Sequence, residues 1–453
     1  MRKPNVTLLP LVLLSASTLT LLASAPACID APDSVDDSIE RSIKEVDLDM
    51  CPKFKDMMES GDYKDILKQY QFVCGLVIDS DGNKIEDGLV IRINGKAVSD
   101  DSLIEWQRER DEDQQNVRID ISAPGYAPLI KSVSGSLFNQ PFVLQRLNET
   151  EIEWGEKSLV TDASGATVKI PAYALVTKSG EKPEGSILFG TFFVNPALQD
   201  LPGDYSAINN QGELVYLQSY GTVFMGARDE AGNQLVLAPG EAVQVTVPLD
   251  ERLAKDAPET IALWSFDRSE GIWKQTEGKG TTFEAASLEL AHDGHPTDIQ
   301  APDTNEFYIW DCSDFPPTDP CFPEHCKYNS TRGTTGEFGS LGYINFDMEK
   351  TDPGCIVVDI DESAISPEDF PVCLQFEIAG PAGPIIREEC MGPDGTLLYN
   401  IPAFSDVAID ILYTYGCPAG VGGQMVNSGA PWGGVGMPSN PGDCNGSIVL
   451  PPF

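Results

Sequence analysis

No apolar stretch beyond residue 22 approaches the roughly 18 consecutive residues that a membrane-spanning helix needs. Apolar residues come instead in short runs cut by turn formers. Phe72–Ile78 is such a run, Asp79-Ser80-Asp81-Gly82-Asn83 a turn, and Gly88–Ile93 resumes the pattern. Val117, Ile119 and Ile121 alternate with Arg118 and Asp120, the period of a half-buried strand. Ala242–Val247 and Ile261–Phe266 also suit strands, with Trp264 and Trp273 as natural core anchors. The 41 glycines and 34 prolines fit many short strands joined by turns. The expectation is an all-β chain of several antiparallel β-sandwich domains in tandem, with a short helical N-terminal segment. Its 453 residues have room for about two to four domains at 100–200 residues each.

Charge and residue usage exclude several functions. Seventy acids face thirty Lys and Arg, a net charge of −40. That field repels phosphate backbones and anionic headgroups, which argues against nucleic-acid binding and polybasic membrane docking. His292, His295 and His325 are the three histidines, a small supply of the commonest general base. G-x-S-x-G, H-E-x-x-H and P-loop motifs do not occur.

The N-terminus reads as an address. Met1-Arg2-Lys3 is a short positive region, Val6 to Leu22 is mostly apolar, and Ala23-Ser24-Ala25-Pro26-Ala27 precedes Cys28. Residues 1–27 are expected to be a removed signal peptide and the mature protein to be exported. The segment resembles a bacterial lipoprotein signal, which implies a lipid on Cys28, although Pro26 and Ala25 depart from that pattern. Ordinary cleavage after Ala27 leaves the same cysteine unmodified. The other ten cysteines, Cys51, Cys74, Cys312, Cys321, Cys326, Cys355, Cys373, Cys390, Cys417 and Cys444, suit five disulfides in an oxidising compartment. Cys51 and Cys74 flank the helical piece and could staple it. Cys373–Cys390 and Cys417–Cys444 are plausible local pairs.

Residues 28–70 read as an acidic tether and a short helical segment, split near Gly61. In the next stretch, Gly75-Leu76-Val77-Ile78-Asp79, Gly82, Gly88 and Ala123-Pro124-Gly125-Tyr126 together resemble a carboxypeptidase-regulatory-like, transthyretin-type β-sandwich module over about 71–147. The resemblance implies a folding or adhesive unit without catalysis of its own. Residues 148–310 carry Thr167-Val168-Lys169-Ile170-Pro171-Ala172-Tyr173-Ala174-Leu175, then Leu201-Pro202-Gly203-Asp204-Tyr205-Ser206-Ala207. Tyr220-Gly221-Thr222-Val223-Phe224, Leu263-Trp264-Ser265-Phe266-Asp267 and Gly271-Ile272-Trp273 follow in order. This set resembles the extracellular β domain of the cartilage intermediate layer protein family. Related β domains cleave themselves at His-Phe-Ser. The corresponding Asn305-Glu306-Phe307-Tyr308-Ile309-Trp310 lacks the His and Ser, so self-cleavage is not expected. Residues 311–340 read as a Cys/Pro-rich connector and 341–453 as a C-terminal β-sandwich. There Asp394-Gly395-Thr396 and Ile401-Pro402-Ala403 again resemble the regulatory-like module.

Each candidate site has a plainer reading. His292-Asp293-Gly294-His295 lies in a polar turn and lacks a fourth metal ligand. Cys321-Phe322-Pro323-Glu324-His325-Cys326 resembles a zinc knuckle, but an oxidising compartment favours disulfides. Asp79-Ser80-Asp81-Gly82-Asn83 starts like an EF-hand, yet Lys84 stands where the loop needs Gly and Val90 where it needs Glu. A loose calcium site at this edge stays open. Tyr216, Tyr220, Trp264 and Trp273 could stack a sugar ring, with core packing the commoner fate. Asn148, Asn329 and Asn445 head glycosylation sequons if the source is eukaryotic.

The expected function is non-enzymatic: an exported, lipid-anchored cell-envelope protein, structural or adhesive, without cofactor or metal, binding a protein or polysaccharide at the surface. A carbohydrate-binding protein using Tyr216 and Trp273 is one alternative. A hydrolase with an unrecognised carboxylate site is the other.

Overall fold

In the computed structural model of the chain, the described residues are 51, 63–99, 101–110, 116–162, 164–197, 199–255, 257–284, 286–287, 308–309, 332–360, 372–380, 383–414, 421–428, 430 and 444–450. The described structure is nearly all β, as the alternation predicts.

Helix α1 (Tyr63–Gln69) leads into β1 (Tyr70–Asp79). A Cys51–Cys74 disulfide ties this entry, with Leu67 and Phe138 buried around it. The first lobe continues through β2 (Val90–Ile93), β3 (Lys96–Ser99), β4 (Leu103–Glu109), β5 (Val117–Ser122), β6 (Leu129–Val133) and β7 (Leu137–Leu144). Two sheets, β4-β1-β7 and β3-β2-β5-β6, enclose Val73, Val77, Ile91, Ile119, Ile121 and Phe142. β1 runs parallel to β7, and Gly75 makes their close approach feasible: a Cβ there would lie 2.0 Å from the Gln140 carbonyl oxygen.

The central lobe is built on an 11-stranded sheet. It contains β8 (Asn148–Ile152), β9 (Ser158–Thr161), β10 (Thr167–Ile170), β12 (Ile187–Val194), β13 (Ser206–Ile208), β14 (Leu214–Asp229) and β16 (Val243–Pro248), with β11 (Leu175–Thr177) and β15 (Leu235–Leu237) forming a separate pair. After the short α2 (Glu251–Ala254), β17 (Thr260–Asp267) and β18 (Ile272–Glu284) rejoin the sheet. Beyond a further pair, β19 (Ala286–Ser287) and β20 (Tyr308–Ile309), come β21 (Arg332–Phe338) and β22 (Gly342–Lys350). β21 inserts between β18 and β16, and β22 between β14 and β17. The central sheet therefore draws its middle strands from 332–350, the stretch where the sequence suggests a connector and the start of the C-terminal sandwich. Alternation fixes a strand's faces and says nothing about which sheet it enters.

The third lobe comprises β23 (Pro353–Ile360), β24 (Val372–Gly380), β25 (Gly383–Met391), β26 (Thr396–Pro402), β27 (Asp406–Thr414), β28 (Val421–Asn427) and β29 (Gly446–Leu450). Its sheets, β26-β23-β29 and β25-β24-β27-β28, repeat the first lobe strand for strand. In each lobe the opening strand pairs antiparallel with the fourth and parallel with the seventh. One seven-stranded topology is thus used twice, on either side of the central lobe in sequence. Cys373–Cys390 joins register partners on β24 and β25. Cys444 pairs with Cys355, which corrects the Cys417–Cys444 loop expected from proximity in sequence. The parallel pairing of β29 with β23 sets Gly446 beside Ile356, and that register brings the two cysteines together across 89 positions.

Among the described residues one turn recurs five times. Residues 79–83, 162–166, 177–181, 209–213 and 229–233 each close with the fourth-position glycine N–H on the first carbonyl and the first N–H on the fifth carbonyl. The glycines take φ between 79° and 89°, as a three-residue hairpin loop requires. Asp79 belongs to this set. Its buried carboxylate accepts from the N–H groups of Asp81 (3.0 Å) and Asn83 (2.9 Å) and from Arg146 (2.6 Å). Burial works to raise its pKa, but these donors win and hold it below the usual range. The EF-hand likeness of 79–83 is hairpin chemistry.

Non-reducing peptide mapping should recover Cys444 linked to Cys355; a Cys417–Cys444 peptide would contradict this pairing. Trp273→Ala, which empties a fully buried position, should destabilise the chain by about 3–5 kcal/mol in denaturant titration, and a change below about 1 kcal/mol would place the ring outside the core.

Candidate functional site

The Leu201-Pro202-Gly203-Asp204-Tyr205-Ser206-Ala207 segment lies where the three lobes meet. Gly203 (φ +81°) lets the backbone pass beneath Phe266, whose ring would lie 2.9 Å from a Cβ. The Pro202 carbonyl accepts from the Trp273 indole at 3.2 Å. Tyr205 then takes a left-handed φ of 66°, costly for an aromatic residue, and its side chain is buried.

The tyrosine serves as a platform for an arginine from the third lobe. The Arg387 guanidinium lies 4.2 Å from the Tyr205 ring centroid, and its Nε is 3.2 Å from Asp200 Oδ1. Arg387 is 2% exposed, so this charge has been taken out of water and depends on its partners. Tyr205 Oη donates to the same Asp200 oxygen at 3.0 Å and accepts from the Leu201 N–H. Burial pushes the Tyr205 phenol well above its ordinary pKa, with Asp200 adding to the effect, so it stays a neutral donor.

Around this centre the lobes are joined in every pairing. Between central and third lobes, Asn400, itself left-handed, donates to the Asp204 carbonyl (2.6 Å) and Ser206 Oγ (2.9 Å), while Tyr399 Oη donates to Asp204 Oδ2 (3.1 Å). Between first and third lobes, Asn116 donates to Tyr399 Oη (2.7 Å), Lys131 to the Glu388 carbonyl (3.0 Å), and Arg110 pairs with Asp394. Asp394 also accepts from the Ser136 N–H. Burial raises its pKa despite Arg110. Between first and central lobes, the Gly203 N–H meets the Ile130 carbonyl, Tyr343 Oη donates to the Pro128 carbonyl (2.7 Å), and Arg268 pairs with Asp120. Ile130 packs in one apolar cluster with Trp264, Trp273 and Tyr343. The described residues accordingly fall in one compact unit.

The other candidates fall elsewhere. Tyr216 (3% exposed) and Trp273 (0%) have their faces covered, Trp273 by Phe266 in an edge contact at 5.1 Å. Neither can stack a sugar, which corrects that reading of them. Tyr220 and Trp264 are likewise buried. Cys51, Cys74, Cys355, Cys373, Cys390 and Cys444 are in disulfides. Cys28, Cys312, Cys321, Cys326, Cys417, Asn329 and all three histidines lie outside the described residues. Asn148 and Asn445 are exposed. Sequence reasoning singled out Asp204 and Tyr205 within their segment but missed Arg387, Tyr399 and Asn400. The available signal was Ile385-Ile386-Arg387, an arginine in an apolar strand of a chain poor in cations.

Removing one member of a buried ion pair costs about 3–5 kcal/mol. Arg387→Ala should therefore lower the denaturation midpoint and open the third lobe to limited proteolysis before the rest. Unchanged stability and cleavage would mean that Arg387 does not hold the lobes together.

No family model matches the chain. Among solved structures, a pair of B repeat units from the collagen-binding protein of Staphylococcus aureus aligns with 77% of this chain and 94% of its own, at 10% identity and a TM-score of 0.13. The chain is 27% identical over 143 residues to human cartilage intermediate layer protein 1 and 26% identical to the mouse protein. Each match covers 30% of this chain and 12% of the relative, so the shared part is a small fraction of those proteins. The similarity is with the same family that the residues of the central segment resemble.

Proposed function

We propose that the chain is an exported, non-enzymatic structural or adhesive protein of the cell surface, anchored by a lipid on Cys28. The observation that carries this reading is the weld at Asp200, Tyr205 and Arg387. Buried charge and left-handed backbone there hold the central and third lobes in fixed relation, and the first lobe is tied to both by Arg110–Asp394, Arg268–Asp120 and the Tyr343 hydrogen bond to Pro128. Fixed lobes suit a protein that presents surfaces and transmits force. Disulfides within the first and third lobes point to an oxidising compartment. The partial likeness to cartilage intermediate layer protein 1 fits a structural role outside the cell. The twice-used seven-stranded topology supports reading both terminal lobes as carboxypeptidase-regulatory-like modules.

Adhesion would use sheet edges. β28 is the outer strand of its sheet, with Met425 62% exposed, and beside its end stands Phe404, 69% exposed, whose carbonyl accepts from Asn427. An extended segment of a partner protein could add to such an edge, with backbone hydrogen bonds supplying affinity and these side chains supplying contact. The carbohydrate reading loses its ligand-stacking residues with the burial of Tyr216 and Trp273.

The mature chain should bind saturably to a fibrous-protein fraction of its native surface, and Phe404→Ser with Met425→Ser should weaken binding about tenfold or more. Binding confined to a polysaccharide fraction, or turnover of glycoside or ester substrates, would overturn the proposal. The intact mass of protein from its native host should begin at Cys28 with an acyl increment; an unmodified N-terminal cysteine would remove the anchor.

A further inference from the structure

The middle of the central sheet holds a cluster of buried polar side chains. Ser219 is 1% exposed, and Thr222, Asn345 and Asp347 are fully buried. They lie on the neighbouring strands β14 and β22, where the register slips between Ser219 and Gly221. Such a bulge re-aims side chains, and here Ser219 Oγ comes within 2.8 Å of Asn345 Oδ1. The Gly221 N–H fixes Ser219 Oγ at 3.2 Å. Asn345 Oδ1 also accepts from the Phe346 N–H at 2.9 Å. With two donors on Oδ1, the amide orientation is settled, and Nδ2 faces Asp347 Oδ2. Burial raises the Asp347 carboxyl well above its ordinary pKa, against the opposing effect of Ser219, Tyr220 N–H and Asn345. Burial thus favours the protonated form of this carboxyl over what an exposed acid would show.

Four elements of acyl transfer therefore converge: an alcohol, an amide carbonyl within its reach, a backbone N–H on the oxygen that would gain charge, and a carboxylic acid at the leaving nitrogen. Water is excluded and the reactants are held in one geometry, conditions that favour an intramolecular reaction and protect its product.

We propose that Ser219 and Asn345 form an internal ester that covalently joins β14 to β22. Ser219 Oγ attacks Asn345 Cγ, and the Phe346 N–H steadies the oxyanion on Oδ1. Asp347 gives its proton to the nitrogen as the C–N bond breaks and takes up the proton of the serine hydroxyl. Ammonia leaves, the carboxyl of Asp347 is regenerated, and no oxidant or cofactor is consumed. The bond crosses from residue 219 to residue 345 in the middle of the sheet, a link no disulfide among the described residues supplies. It goes beyond adhesion and does not depend on it.

The test is the mass of the folded, full-length protein after denaturation and reduction. A loss of about 17 Da, the mass of ammonia, is expected relative to the processed sequence. Digestion should then yield one branched peptide joining Ser219 to Asn345, cleaved by hydroxylamine. Ser219→Ala should restore the full mass, and Asp347→Asn, which keeps the side chain's shape and removes its acidic proton, should abolish the link or slow its formation at least about a hundredfold. Separate, unmodified peptides carrying Ser219 and Asn345 in the wild-type digest would overturn the proposal, whether or not the variants fold. A link to Thr222 or to any other residue would overturn the assignment.

Discussion

A guanidinium removed from water has few stable options, and Arg387 takes one that ties the third lobe to the central lobe. Its charge is met by Asp200 and by the face of Tyr205. The cost of stranding that charge makes separation of the third lobe from the central lobe unfavourable. Tyr205 can offer its ring there because Gly203 and its own left-handed backbone turn the chain sharply. The rest of the interface, from Asn400 on Asp204 to Arg110 on Asp394, is arranged around that placement. Breaking one contact exposes or strands others, which is how polar networks couple neighbouring units.

The covalent framework works at a shorter range. Cys51–Cys74 holds the entry to the first lobe, while Cys355–Cys444 and Cys373–Cys390 brace the third. The three disulfides among the described residues lie within single lobes and so stabilise those lobes locally. The joints between lobes depend on buried hydrogen bonds, ion pairs and the Ile130, Trp264, Trp273 and Tyr343 cluster. Those joints combine charge pairing with apolar burial, so high salt alone should loosen them little.

Much of this architecture was legible in the sequence, for definable reasons. A period of two in Val117, Ile119 and Ile121 marks an inner face wherever the strand finally lies. Trp264 and Trp273 read as core anchors and are core anchors. What sequence could not convey was long-range pairing. Gly342–Lys350 looks the same as a strand of the third lobe, and only its neighbours β14 and β17 place it in the central sheet. Cys444 stands 27 positions from Cys417 and 89 from Cys355, yet the parallel register of β29 on β23 selects the distant partner. Tyr216 and Trp273 were open to two readings because composition reveals an aromatic face and not what covers it. Arg387, Asn345 and Asp347 were missed because inward polar residues in strands look like outward ones until the register is known.

The most direct test of a single welded body is the calorimetric unfolding of the mature, disulfide-intact chain. Lobes held by the Arg387 network should melt in one transition, with calorimetric and van't Hoff enthalpies in agreement. Three resolved transitions, each with the enthalpy of one lobe, would show that the lobes are independent and that the interface between them carries no appreciable stability.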